Sequence, residues 1–261
     1  MLAEFRTSVS GMQVQQIAVD IISNNIANAT TPGYKRSDAD FKALLYAQYA
    51  PAGDYSITPD FQRMVDVGSG VSMAGVSSDT RQGALLSGQS PLNMAIEGEG
   101  YFIVAMPDGT TAYTRDGTFR LDGGRRLTSA QGGIVQPQVT VPPDASDAWV
   151  SPEGLVYAKF GEYGETRQIG EVQLARFPNP GGLLHVDSNY YLETEASGAP
   201  TVGYPGAGAY GAIAGGTVEM SNVNLATEVT NLIMAQRAYQ MNARALQTTD
   251  EMLGLANALR A

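Results

Sequence analysis

Three sets of residues in this 261-residue chain have types and spacings that could carry chemistry. Gly206-Ala207-Gly208-Ala209-Tyr210-Gly211 spells the glycine pattern of dinucleotide-binding turns, in which backbone N–H groups at a helix N-terminus hold a pyrophosphate. That chemistry needs a buried strand before the motif and a helix after it. Residues 201–205 and 212–216 look like loop on both sides, so the spacing predicts a linker and no nucleotide cofactor. His185 is the sole histidine and there is no cysteine, which rules out a His–His metal pair, a thiolate nucleophile and a disulfide framework. A Ser–His–acid triad would have to use His185, and no Gly-x-Ser-x-Gly elbow accompanies it. Carboxylate pairs such as Glu97 with Glu99, or Asp116 with Asp122, could flank a glycosidic bond if the fold set the right separation. Asp108, Asp116 and Asp122 each precede a glycine, however, and turn chemistry accounts for them without catalysis.

The elements that would have to position these groups are of two kinds. Leu225, Leu232, Tyr239, Leu246 and Leu253 recur every seven residues, with Val229 beside them, and Ser221-Asn222-Val223-Asn224 offers caps in front. Near the start, Leu2, Phe5, Val9, Met12, Val19 and Ile26 fall at alternating steps of three and four if Gln16 and Ser23 are admitted. Both stripes predict long amphipathic helices of coiled-coil type, which gain stability only when the stripe is buried on a partner. Between them lie Asp108-Gly109, Asp116-Gly117 and Asp122-Gly123 turns separating short apolar runs, a hairpin pattern. Strands are expected over 101–106, 111–115, 118–121, 154–160, 168–177 and 183–192. Thr31-Pro32-Gly33-Tyr34 has Pro and Gly where a type II turn needs them.

The predicted fold class is therefore α+β. Residues 1–30 and 221–261 form paired terminal helices, 31–85 an extended β-type linker, 86–205 a compact antiparallel β domain, and 206–220 a return linker. Net charge is −10, of which −1 falls in residues 1–30 and 0 in 222–261. The acidity thus belongs to the middle, which disfavours nucleic acid and anionic membrane surfaces as partners. No stretch approaches a membrane span, and the first 30 residues lack the basic start and unbroken apolar core of a cleaved secretory signal. Read alone, this suggests a soluble cytosolic protein that joins to copies of itself.

Several long motifs then resemble one family. Ser23-Asn24-Asn25-Ile26-Ala27-Asn28 through Thr31-Pro32-Gly33-Tyr34-Lys35-Arg36 is similar to the N-terminal signature of bacterial flagellar rod and hook proteins. Ser221-Asn222-Val223-Asn224-Leu225, Ala235-Gln236-Arg237-Ala238-Tyr239 and Thr248-Thr249-Asp250-Glu251-Met252-Leu253 resemble its C-terminal signature. The runs from Ala95 to Phe102 and from Tyr113 to Phe119 resemble its central segment. Leu44-Leu45-Tyr46, the loop over 47–65 and Gly68-Ser69-Gly70-Val71 look like the insert of the distal-rod branch, though many members of that branch have Asn-Gly-Phe near Pro32-Gly33-Tyr34.

The resemblance implies a structural subunit that stacks helically into a hollow, straight shaft carrying torque across the periplasm. It implies export through the flagellar type III apparatus without a cleaved signal, which replaces the cytosolic expectation. Implied partners are copies of itself, proximal-rod proteins, the hook protein, the P and L ring proteins and the export apparatus. No cofactor, metal or catalytic residue is implied. The stripe residues would make the subunit packing, and Asn24, Asn25, Asn28, Pro32, Gly33, Tyr34, Asn222 and Asn224 would shape the junctions. Two other readings stay open from sequence: a proximal-rod paralogue, and a cell-wall carbohydrate hydrolase.

Overall fold

A computed structural model describes residues 2–49, 65–161, 164–186 and 189–259, without the side chains of 2–4, 46–49, 65–67, 256 and 257. The expected insert over 47–65 lies largely outside the described residues, as does the side chain of Leu2. The fold is α+β, with a long helix at each end and antiparallel β structure between. The described chain divides into two compact units. One comprises Met1–Ile26, Ser37–Ser77 and Asn224–Ala261; the other comprises Ala27–Arg36 and Ser78–Val223.

The first unit contains α1 (Leu2–Ala27) and α2 (Leu225–Ala258), about 39 and 51 Å long at 1.5 Å per residue. Asn224 caps α2 by accepting a hydrogen bond from the Thr227 N–H at 3.2 Å, and Glu228 places a carboxylate in the first turn. The strand Ser37–Ala43 pairs with Val71–Ser78, and Tyr46–Tyr49 pairs antiparallel with Val65–Gly68. Helix α1 is tied to these strands: Thr7 Oγ1 donates to the Gly68 carbonyl at 3.4 Å, and Ser10 Oγ accepts from the Val71 N–H at 3.3 Å.

The second unit is built around a nine-stranded sheet. The hairpin Tyr101–Ala105 with Thr111–Thr114 sits at its centre, in the register Phe102↔Thr114 and Val104↔Ala112. Because alternate residues of a strand face opposite ways, the unbroken apolar run from Tyr101 to Val104 is buried on both faces. Phe102 and Val104 join a core with Met94, Ile96, Phe119, Leu127, Leu174 and Ile213; Tyr101 and Ile103 join a second with Tyr113, Phe177 and Tyr191. Edge-to-face ring contacts organise the second core, including Tyr113 on Phe177 with centroids 4.8 Å apart. A separate three-stranded antiparallel sheet comprises Ala145–Val150, Leu155–Phe160 and Thr166–Glu171.

The expected strands over 168–177 and 183–192 are each two strands: Thr166–Glu171 and Leu174–Arg176, and Leu184–Val186 and Tyr190–Leu192. Residues 206–220 contain the strands Ala212–Gly215, paired with Met94–Glu97, and Thr217–Glu219, paired with Leu85–Ser87.

Candidate functional site

The residues with catalytic types are dispersed and already occupied. The glycine motif at 206–211 is a tight loop between strands Thr201–Gly203 and Ala212–Gly215: the Gly206 N–H donates to the Gly211 carbonyl, and the Gly211 N–H to that of Glu99. No helix follows, so the phosphate-binding geometry is missing. His185 is exposed on an edge strand, its ring edge-on to Tyr191 at 5.2 Å. Asp108, Asp116 and Asp122 accept the N–H two residues ahead, from Thr110, Thr118 and Gly124, each at 2.9 Å. Those are Asx turns, the role that Asp before Gly suggests. Hydrogen bonds hold the Asp108 and Asp122 carboxyls below their ordinary range, for Asp108 chiefly from the Thr110 hydroxyl and for Asp122 chiefly from the Arg126 backbone N–H. Glu99 is paired with Arg176 at 2.5 Å on the surface, and Glu97 is exposed. Among the described residues no group of three or more His, Cys, Asp or Glu could hold a metal ion.

The built site is a buried polar clasp in the second unit. It begins at the turn Thr31-Pro32-Gly33-Tyr34, closed by the Tyr34 N–H donating to the Thr31 carbonyl at 3.3 Å. Gly33 has φ +70°, and a Cβ there would lie 2.5 Å from the Asp116 backbone nitrogen, so only glycine both turns and fits. The Gly33 N–H donates to the Glu219 carbonyl at 2.8 Å, and Asn189 Nδ2 donates to the Pro32 carbonyl at 3.0 Å. Tyr34 and Lys35 are buried directly after the turn.

At the centre stands Glu219, fully buried. Its Oε1 accepts from Lys35 Nζ at 2.6 Å and from the Gly83 N–H at 2.9 Å, and its Oε2 accepts from Arg115 Nη1 at 3.2 Å. Lys35 Nζ also donates to the Arg81 carbonyl and Arg115 Nη2 to the Gly98 carbonyl, both at 2.8 Å. The Arg115 guanidinium lies over the Tyr101 ring, 5.2 Å from its centroid. Burial pulls the Lys35 ammonium below its ordinary value, and the Glu219 carboxylate opposes that pull. Three buried charges, two positive and one negative, are therefore held by one another and by backbone carbonyls.

Asn222 completes the clasp. Its Oδ1 accepts from the Arg36 N–H at 2.8 Å, while its Nδ2 donates to the carbonyls of Asp79 at 2.9 Å and Arg81 at 3.0 Å. One side chain thus binds three passes of the chain, around residues 36, 80 and 222. A second amide does similar work in the first unit. Asn25 accepts from the Ser37 N–H at 3.0 Å, and its Nδ2 donates to the Ser37 carbonyl at 2.8 Å and to Glu228 Oε2 at 3.3 Å.

Of the residues singled out by sequence, Asn25, Gly33, Tyr34 and Asn222 belong to these two clasps, Pro32 supplies a carbonyl, and Asn224 is a helix cap. Asn28 Oδ1 accepts from Thr31 Oγ1 at 3.2 Å, and Asn24 is exposed. The stripe residues are not enclosed. Phe5 is 44% exposed, Leu225 53%, Val229 42% and Tyr239 40%, while Val9, Met12, Val19, Ile26, Leu232, Leu246 and Leu253 are half-buried. The role of Arg115, Glu219 and Glu228 was not visible in the sequence. By sequence Arg115 ends an expected strand before a turn and Glu228 falls in the first turn of an expected helix, while nothing in the sequence singles out Glu219.

Three segments of the chain match known families. Residues 5–35 match "Flagella basal body rod protein", 95–158 match "Flagellar hook protein FlgE/F/G D1 domain" and 214–259 match "Flagellar basal body rod FlgEFG protein C-terminal". Lys35, Arg115 and Glu219 fall one in each segment. The chain is 42% identical over 260 residues to the flagellar basal-body rod protein FlgG of Caulobacter vibrioides, covering 98% of both chains. It is 38% identical over 263 residues to FlgG of Borreliella burgdorferi, covering 100% of this chain and 99% of that one. Against FlgG of Buchnera aphidicola subsp. Baizongia pistaciae the identity is 38% over 249 residues, 94% of each.

Proposed function

Since this chain belongs to the family of flagellar basal-body rod proteins, we propose that it polymerises helically through its two terminal helices into the wall of a rigid hollow shaft. It is a structural subunit of the flagellar distal rod and not an enzyme. The observation that carries the polymer reading is the half-exposure of both apolar stripes. Leu225, Val229 and Tyr239 leave 40–53% of their surface open in the single chain. Fully burying a side chain of this size is worth about 1.5–3 kcal/mol and these are about half open, so each has roughly half of that still to gain and repeated copies of the stripe supply a drive toward association.

On this reading α1 and α2 pair in coiled-coil fashion within a subunit, and Leu2, Phe5, Val9, Met12, Val19, Ile26, Leu225, Val229, Leu232, Tyr239, Leu246 and Leu253 are shared between that pair and neighbouring copies. The terminal helices face the inner tube, residues 31–85 brace adjacent subunits, and the β unit faces outward. The clasp suits a part under torque. Three backbone passes meet at Asn222 and Glu219, so load entering along one is distributed to the others and to the sheet beneath.

Specific partners follow from the same proposal: proximal-rod proteins at one end, the hook protein at the other, the P and L ring proteins around the shaft, and the type III apparatus that exports the chain without cleaving it to a periplasmic position. The test is Leu232→Asp or Leu246→Asp in the full chain. Polymerisation and motility are expected to be lost while the second unit keeps its fold by circular dichroism; normal polymer from both variants would overturn the stripe's role.

A further inference from the structure

The two helices approach one another along a line of residues that neither apolar stripe contains. Asn25 Nδ2 donates to Glu228 Oε2 at 3.3 Å. A Cβ on Gly11 would lie 2.7 Å from Asn242 Nδ2, so α1 and α2 are in close contact there as well. Both contacts satisfy a single antiparallel register. Steps of seven from them run through Gly11, Ala18 and Asn25 on α1, and through Glu228, Ala235, Asn242 and Thr249 on α2. Glu228, Ala235 and Thr249 are the buried residues of α2 among those described, and they lie on this line. The same register sets Ala18 opposite Ala235. The seam inside the subunit therefore carries a line of small and polar residues, three residues ahead of the Leu225–Leu253 heptad, with Val14 of α1 buried beside it.

We infer that Asn25 and Glu228 are positioning residues that fix the register of α1 on α2. A slide of one heptad, about 10 Å along the axis, would keep small residues facing small residues, so the packing of Gly and Ala alone discriminates poorly. The same slide carries Glu228 either opposite Ala18 or past Ala27, where α1 ends. In both cases the fully buried Glu228 carboxylate loses the Asn25 amide, and taking a hydrogen-bond donor away from a buried carboxylate is unfavourable. Asn25 also holds both backbone polar groups of Ser37, so the register it reads on α2 is passed to the strand Ser37–Ala43.

This inference rests on the helix pairing of the proposed function, and its test separates the two. The chain has no cysteine, so introduced pairs report without background. Ala18→Cys with Ala235→Cys reads the observed register, and Ala18→Cys with Asn242→Cys reads a slide of one heptad. Each pair is placed in the dilute full-length chain, oxidised mildly and quantified on a non-reducing gel. In the native background the first crosslink is expected to exceed the second by at least about tenfold, the ratio that about 1.4 kcal/mol sustains. With Asn25→Leu and Glu228→Leu the helices should stay paired and the two products should come within about threefold, because apolar replacements remove the discrimination and keep the burial. Glu228→Gln, which keeps an acceptor for Asn25, should retain the native preference. Asn25→Ala, which adds no bulk, should reduce it even if the leucine pair fails to fold. A native-like preference in both the leucine pair and Asn25→Ala would overturn the register role. Absence of both crosslinks in the native background would instead overturn the helix pairing itself.

Discussion

Replacing Glu219 by glutamine perturbs the second unit at its most constrained point. The substitution preserves shape and one carbonyl oxygen but deletes the only negative charge between Lys35 Nζ at 2.6 Å and Arg115 Nη1 at 3.2 Å. The side chains of all three are nearly or fully enclosed, so water cannot replace the lost carboxylate. Breaking a buried ion pair by removing one partner costs about 3–5 kcal/mol, because the remaining charges stay desolvated. With a urea dependence of about 1–3 kcal/mol per molar, the unfolding midpoint should fall by roughly 1–5 M. Trp149 is the sole tryptophan and belongs to the second unit, so its fluorescence follows that unit specifically. The loss should persist at about 1 M salt, since buried pairs are screened far less than surface ones. Replacing Lys35, Arg115 and Glu219 together by methionine should restore most of the stability, because no charge is then stranded. A Glu219→Gln midpoint within about 0.3 M of the native one would refute the reasoning.

Gly33→Ala should destabilise the same unit by at least about 2 kcal/mol, from left-handed backbone strain and the contact with Asp116; an unchanged urea midpoint would show that the turn relaxes freely. Burial raises Tyr101, Tyr113, Tyr190 and Tyr191 above the ordinary phenol value of 10.0. A raised folded value means stability that is intact below pH 10 and lost as pH climbs toward the folded values, so phenolate absorbance and Trp149 fluorescence should change together above pH 10. Lys35 acts oppositely, its burial cost fading as pH rises through the window below 10.5, but it is one group against four. Ordinary titration of all the tyrosines near pH 10 with tertiary structure intact would contradict this. In hydrogen exchange on the isolated chain, α1 and α2 should exchange faster than Met94–Glu97 and Tyr101–Ala105, because their stripes are half-exposed; equal protection would count against assembly-coupled ordering of the helices.

Much of the local structure was legible because it is written in neighbouring residues. Asp-Gly pairs at 108, 116 and 122 announce turns whose carboxylates bind the next N–H but one, and the apolar run from Tyr101 reads directly as a strand buried on both faces. The clasp was not legible, since Lys35, Arg115 and Glu219 come together from far-separated parts of the chain and no period connects them. The seam between the helices is hidden in the sequence for a different reason. Hydrophobic periodicity looks for leucine and valine, whereas the line that closes the pair is Gly11, Asn25, Glu228, Ala235 and Asn242, and only contacts in three dimensions reveal its phase. The strand break after Glu171 is hidden because Val172 and Leu174 carry the apolar pattern across it, whereas Asp187-Ser188-Asn189 is a polar turn signal inside the expected strand over 183–192.

Electron cryo-microscopy of basal bodies purified from cells carrying this chain tests its role most directly. The expected map shows the chain repeated helically in the distal rod, within the P and L rings, with α1 and α2 lining the channel and the β unit outermost. A distal rod fully built from another protein, with this chain absent from it or confined to the proximal rod, would contradict the assignment.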